Sequence, residues 1–487
     1  MIKSIILSYF IVQSHNLYQG KITGLIMLIQ NDYSTYISVA DNFHSTGTLS
    51  YREGKPFAGR MPGYTLPYLL LRFLFEREAA LLLLGLLQIF LSALSVYLLG
   101  RIACDLFKNE KIFYPVFFLS AVSIQTSLFD FFTLPESFSV SALIVFLFFL
   151  YRGRSTGKPF DWFISGFFLT WAIFLRPFLG LLIALVPVVL TATEWKTCRL
   201  KKILFRCFLF LLPFTLCESA WIIRNYISIG KFIPLESDPQ ESYGSDGMYR
   251  TSAIAIENLV AAWGGETRWF YEGSEVWWFH FAKDGGQEGA HPFKPHVFCA
   301  SFTFDSLIRL KKIFQESGKT GRLKKELDSL NLLAESTATR YRNDYIAKNP
   351  VRYYGVNFLV YFQRLVFSSP TYLLPLPAFS SMTLFQKGVK LFYTGIYFII
   401  LLSGIAGIIL YFLKNKADFF WFVPVLIPIV IIYTIIFYPH ANRIIAGRYF
   451  IGAYPVFLLF AGFVFEYILE KFIRKNNLPK KSFISPD

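Results

Sequence analysis

The sequence predicts an all-α polytopic membrane protein of about ten transmembrane helices with a mainly helical extracytoplasmic segment. Three observations carry that prediction. Hydrophobic residues make up 54% of the chain and charged residues only 16%, against roughly 25% charge in a soluble protein. Apolar runs recur at lengths near the ~20 residues that a helix needs to cross a bilayer core. Counted in order, those runs place every short connector rich in lysine and arginine on one side, as the positive-inside rule requires.

Taken along the chain, the first span lies within residues 4–20, interrupted by Gln13, Ser14, His15 and Asn16. No small-residue cleavage site follows it, so it reads as an uncleaved span and not a signal peptide. Further spans are expected at 79–100, 112–129, 138–151, 162–175, 178–193, 207–223, 391–413, 419–438 and 449–465. Aromatic, amphipathic residues 353–367 carry Gln363 and Arg364 at mid-length and read as an interfacial helix. These runs divide the chain into an N-terminal transmembrane module, 1–226, whose first outer loop is 21–78; an extracytoplasmic segment, 227–386, ending in the interfacial helix; a C-terminal transmembrane module, 387–470; and a basic tail, 471–487.

The formal net charge of +16 would point to nucleic acid if it formed one face. The cations instead sit between apolar runs and in the tail, which excludes that class. Five cysteines without a CxxC pair make neither a disulfide nor a metal framework. The chain has no Asn-x-Ser/Thr acceptor, which favours a bacterial origin.

The informative stretch is 30–71. Asp32, Tyr36, Ala40 and Phe43 follow helical spacing, with Asn31 or Asp32 as a cap at the start and Gly47 as the stop. Gly54, Pro56 and Gly59 then lead into Arg60-Met61-Pro62-Gly63-Tyr64, which is loop chemistry. Ionisable groups at a membrane edge are costly, and each is a functional hypothesis. The outer face collects Asp32, Arg60, Glu136, Arg176, Arg224, His440, Arg443 and Arg448. Arginines at an apolar boundary suit the phosphate of a lipid, because the planar fork binds phosphate oxygens and stays charged. A carboxylate opposite them accepts the proton of an attacking hydroxyl. Asp32 is therefore a candidate catalytic acid, and Asp130 and Glu136 are the other acids collected on this face. Arg60, Tyr36, Tyr64, Arg176, Arg224, His440, Arg443 and Arg448 are the candidate substrate-binding residues. Each has a plainer reading: helix cap for Asp32, helix-start acid for Glu136, snorkelling cations for the arginines, aromatic belt for the tyrosines. Glu218, inside a span, reads as a buried partner of an arginine. The tryptophans 263–278 read as core of the outer segment or as sugar-stacking faces. Asp32 and Glu136 also offer the oxygens that a hard divalent cation takes, so a metal stays open.

The ordered motifs NDYSTYISVADNF, RMPGYTLP, TLPESFS, RPFLG, WIIRNYISIGKFIPL and GRYFIGAYP resemble the GT-C membrane glycosyltransferases. The resemblance is to the ArnT-like, protein-mannosyltransferase-like and RgtA/B-like branch, and covers most of the chain except the long outer segment. It implies a polyprenyl-phosphate-sugar donor, a lipid, glycan or protein acceptor, inverting transfer on the non-cytoplasmic face and residence in a bacterial inner membrane. It also implies a key acid in the first outer loop, which falls on Asp32, and a second in the next, which falls on Glu136. This chain has Asn31-Asp32 where the family often has two adjacent acids. Two other readings fit the same spans: a transporter of a lipid-linked glycan, and an oligosaccharide polymerase or ligase using a diphosphate donor.

Overall fold

A computed structural model describes residues 22–23, 27–28, 35–52, 54–237, 250–267, 272–282, 292–299, 302–319, 323–374, 376–414, 419–437 and 447–476. Asp32, His440, Arg443 and the expected first span lie outside them.

The described chain is mainly helical. Two short antiparallel pairs flank the first helix: β1 (Ile22–Thr23) with β2 (Met27–Leu28), and β3 (Ser50–Arg52) with β4 (Lys55–Pro56). Between them runs α1, Ile37–Thr46, which ends where Gly47 turns left-handed at φ 72° and bonds back to Phe43. The expected start at Asn31 or Asp32 lies outside the described residues; among these, Tyr36 precedes the first turn and makes no side-chain cap.

Next come α2 (Thr65–Leu74), α3 (Arg77–Phe107), α4 (Phe113–Val122), α5 (Glu136–Thr156), α6 (Pro159–Leu175), α7 (Leu182–Glu194) and α8 (Leu200–Ile229). The long segment between the two sets of spans contributes α9 (Thr251–Ala262), α10 (Glu275–Phe281), α11 (Phe304–Glu316), α12 (Lys324–Lys348) and α13 (Asn357–Val366). The chain closes with α14 (Leu384–Lys414), α15 (Val423–Phe437) and α16 (Tyr454–Asn476).

Among the described residues, six helices are long and apolar enough to cross a membrane: Arg77–Phe107, Glu136–Thr156, Pro177–Glu194, Leu200–Ile229, Leu384–Lys414 and Gly447–Phe472. The expected count of about ten is met only in part among them. Pro159–Leu175 and Phe420–Ile436 are apolar but shorter. The run 112–129 resolves into the ten-residue α4, a break at Ser123 and a 3-10 turn at Leu128–Phe131. The break has a cause in side-chain chemistry. Ser123 donates to the Tyr454 hydroxyl (3.1 Å) and Gln125 to the Tyr393 carbonyl (3.2 Å), partners on α16 and α14 that a continuous helix would not need.

α5 and the Gly447–Phe472 helix are mostly enclosed, whereas α3, α8 and α14 keep large apolar side chains such as Phe90, Leu204 and Ile399 exposed. Apolar surface of that extent on a soluble monomer would be a liability, and on a membrane helix it faces lipid. The helices of the spans share one apolar core. A second core forms from α9 to α12, running from Ala253 to Tyr345 and including Trp263 and Trp278. Those two tryptophans are core residues. α13, the expected interfacial helix, is tied to the end of α9 and the turn after it: Asn357 donates to the Ala262 carbonyl, Tyr361 to Ala261 (both 2.6 Å) and Arg364 to Gly265 (2.7 Å).

Candidate active site

The loop Arg60–Tyr64 is held against the end of α6. An atom at a Gly63 Cβ would meet the Phe174 carbonyl carbon at 2.4 Å, so only glycine permits this approach. Trp171, on the last turns of α6, donates its indole N–H to the Gly63 carbonyl at 2.9 Å. Docking there brings the loop beside Arg176, the residue that caps α6.

Tyr64 is fully buried and donates to Oε1 of Gln88 at 2.8 Å. Its ring meets Tyr36 edge-on at 5.5 Å and Phe138 at 5.7 Å. Burial, then the charge of Glu136, then Tyr36, push the Tyr64 hydroxyl well above its ordinary range. It therefore stays protonated and acts only as a hydrogen-bonding group. Arg60 lies over the Tyr36 ring at 5.7 Å and pairs with Glu236 at 3.5 Å.

Glu136 is the first residue of α5, where the positive end of the helix dipole favours an acid. It is 1% exposed, and the Arg176 guanidinium lies against its Oε1. Beside it, Ser137 donates to Asp130 at 2.6 Å. Arg176 also lies 5.7 Å from the centroid of the Tyr449 ring, and Arg448 lies 5.2 Å from the same centroid while donating to the Tyr449 hydroxyl (3.3 Å). Residues from four separate stretches thus form one run: Arg60, Tyr36 and Tyr64, then Glu136 and Arg176, then Tyr449 and Arg448.

Arg224 is placed differently. Its guanidinium donates to the carbonyls of Phe57 (2.8 Å) and Leu49 (3.0 Å) and to the Asn225 side chain (2.9 Å). It fastens the loop around Leu49 and Phe57 to the end of α8. Trp221 and Asn225 extend that clamp by donating to Leu235 (2.5 Å) and Ile233 (3.1 Å). Glu218 accepts from the Leu235 backbone N–H at 2.7 Å, which corrects the expected arginine partner.

Gln88 and Tyr449 were not singled out from sequence. Gln88 is a wholly buried amide in the apolar run 79–100, and an unpaired polar group there is expensive, which is the signal that marks it. Tyr449 is one of many tyrosines, and only packing distinguishes it. Among the described residues no group of three or more His, Cys, Asp or Glu side chains could hold a metal ion. A divalent ion at Glu136 would share the carboxylate with the Arg176 guanidinium.

No family model matches the sequence, and no curated protein matches it. Among solved structures, the chain is similar to the archaeal oligosaccharyltransferase AglB from Archaeoglobus fulgidus in complex with an inhibitory peptide and a dolichol-phosphate. That match has 12% identity and a TM-score of 0.45, covering 100% of this chain and 53% of that one. The chain therefore spans about half the length of AglB. It is also similar to ArnT from Cupriavidus metallidurans, in the apo state (12% identity, TM-score 0.33, 95% of this chain and 76% of that one). The same protein bound to undecaprenyl phosphate matches at 12% identity and TM-score 0.35, over 97% of this chain and 79% of that one. These likenesses are loose, and the functional reading rests on the arrangement of Arg60, Glu136, Arg176 and Arg448.

Proposed function

We propose that this chain is an integral-membrane glycosyltransferase that moves one sugar from a polyprenyl-phosphate donor to an extracytoplasmic lipid, glycan or protein, with inversion. The observation that carries the reading is the buried Glu136–Arg176 pair, together with Arg60 over Tyr36, whose ring packs on Tyr64, and Arg448 on the same Tyr449 ring as Arg176. It sits at one end of α5; the other end carries Arg152 and Arg154, engaged with Asp161 (3.5 Å) and Glu194 (3.9 Å). A helix of 21 residues rises about 1.5 Å per residue, which is close to one bilayer thickness.

In the reaction, the acceptor oxygen bonds to the anomeric carbon as that carbon's bond to the phosphate oxygen breaks. The electron pair leaves with the polyprenyl phosphate, and the acceptor proton passes to a carboxylate, for which Asp32 is the proposed base. Arginines near the leaving phosphate stabilise its developing charge, and guanidinium remains charged at low dielectric. Tyr36 and Tyr64 supply apolar faces and hold the loop, which serves orientation.

The test is transfer by the purified, membrane-reconstituted protein from polyprenyl-monophosphate sugars. Cleavage with release of polyprenyl phosphate is expected, along with loss of turnover in Asp32→Asn at retained donor binding. Movement of the intact sugar lipid without cleavage would establish a transporter instead. Turnover of diphosphate donors alone would establish a polymerase or ligase.

A further inference from the structure

Glu136 and Arg176 are an incompletely satisfied pair. The Glu136 side chain is almost wholly buried, and its Oε2 accepts no hydrogen bond from the described residues. Arg176 retains 11% of its side-chain exposure, whereas Glu136 has 1%. The cation is thus the member open to an incoming group, and the acid is the member behind it. An arginine fork accepts a carboxylate or a phosphate through the same parallel N–H donors, and a phosphate monoester carries about −1.5 to −2 charge near neutrality.

We infer that Glu136 is the resident counter-ion of Arg176, and that the phosphate of a polyprenyl lipid, a diester in the sugar donor and a monoester once the sugar has left, replaces it on the guanidinium. This deepens the glycosyltransferase reading and rests on it. A buried arginine without a partner is costly, so the carboxylate keeps the empty site folded. The same carboxylate then competes with donor. Its removal strengthens binding, whereas a Glu136 that itself contacted the donor favourably would weaken binding when removed. The Tyr449 ring carries a second guanidinium, Arg448, whose centre lies 5.2 Å from its centroid, as that of Arg176 lies at 5.7 Å.

The experiment uses the full chain in phosphatidylcholine nanodiscs, with undecaprenyl phosphate as probe and undecaprenol as its uncharged control. Glu136→Gln is expected to tighten undecaprenyl phosphate binding about tenfold and to leave undecaprenol unchanged. Arg176→Gln is expected to lose most of the preference for the phosphate. Glu136→Asp keeps the charge but withdraws it from Arg176; it is expected to tighten binding less, and it serves if Glu136→Gln does not fold. Unchanged or weaker binding in the folded Glu136 variants, with Arg176→Gln still impaired, overturns the exchange and leaves the glycosyltransferase reading standing. A wild-type chain that binds undecaprenol as well as undecaprenyl phosphate overturns both. Inorganic phosphate is expected to compete only poorly, and equal competition would overturn the lipid assignment.

Discussion

Tyr64 and Gln88 join two loops that are far apart in sequence. The Tyr64 hydroxyl donates to Gln88 across 2.8 Å, and the Gln88 amide nitrogen donates to the carbonyls of Asp130 (2.9 Å) and Phe132 (3.1 Å). One buried side chain in α3 therefore sets the turn that leads into Glu136 against the loop that follows Arg60. Gln88→Leu leaves those carbonyls and the Tyr64 hydroxyl without a partner, at about 1–3 kcal/mol for each group left unsatisfied. A clear fall in the thermal unfolding temperature of the reconstituted protein is expected. Tyr64→Phe, which removes one donor and keeps the ring, should cost less than Gln88→Leu; equal costs would contradict the shared role of the amide.

Gly63 is the steric condition for docking that loop. Gly63→Ala puts a methyl 2.4 Å from the Phe174 carbonyl carbon, and backbone cannot yield as a flexible side chain does. Such overpacking costs about 1–3 kcal/mol. Gly395→Ala in α14 meets nothing within 4 Å and should be neutral or slightly stabilising. Differential scanning of the two variants checks the contrast.

Arg224 is expected to act through architecture. Arg224→Leu removes the donors to Phe57 and Leu49, so amide exchange should rise across residues 49–58 and stay unchanged in α9 and α12. Protection of 49–58 at the wild-type level would show that the clamp is dispensable.

The second core carries a pH dependence of its own. Burial raises the Glu257 carboxyl to about 8, and burial with the nearby Arg250 charge lowers His280 to about 4. For Glu257 the folded state binds the proton more tightly. Stability is greatest below the ordinary carboxyl range, declines as pH rises from there, and levels off above 8. For His280 the folded state favours the neutral ring, so stability rises from about pH 4 to the ordinary histidine range near 6.5 and is constant beyond it. The two slopes oppose each other in the acidic range. Above pH 6.5 only the Glu257 slope continues, at up to about 1.4 kcal/mol per pH unit. Unfolding of the α9–α12 unit, followed by tryptophan fluorescence, should become easier from pH 6.5 to 8, and Glu257→Gln should abolish that trend.

The mainly helical, membrane-crossing character of the protein and the helix stop at Gly47 were legible in residue order alone. So were the placement of Glu136 at a helix start and of Arg176 at a helix end. Those features depend on apolar run length, proline, glycine and the helix dipole, which act within a few residues. The count of spans was less legible: Ser123 and Gln125 end α4 early because their partners, Tyr454 and Tyr393, come from the far end of the chain. Folding in three dimensions was needed to show that Arg176 faces Glu136, that Arg224 is spent on loop carbonyls and that Glu218 bonds a backbone amide. A buried charge or amide must take whichever partner packing brings to it, and packing brings groups from tens to hundreds of residues away.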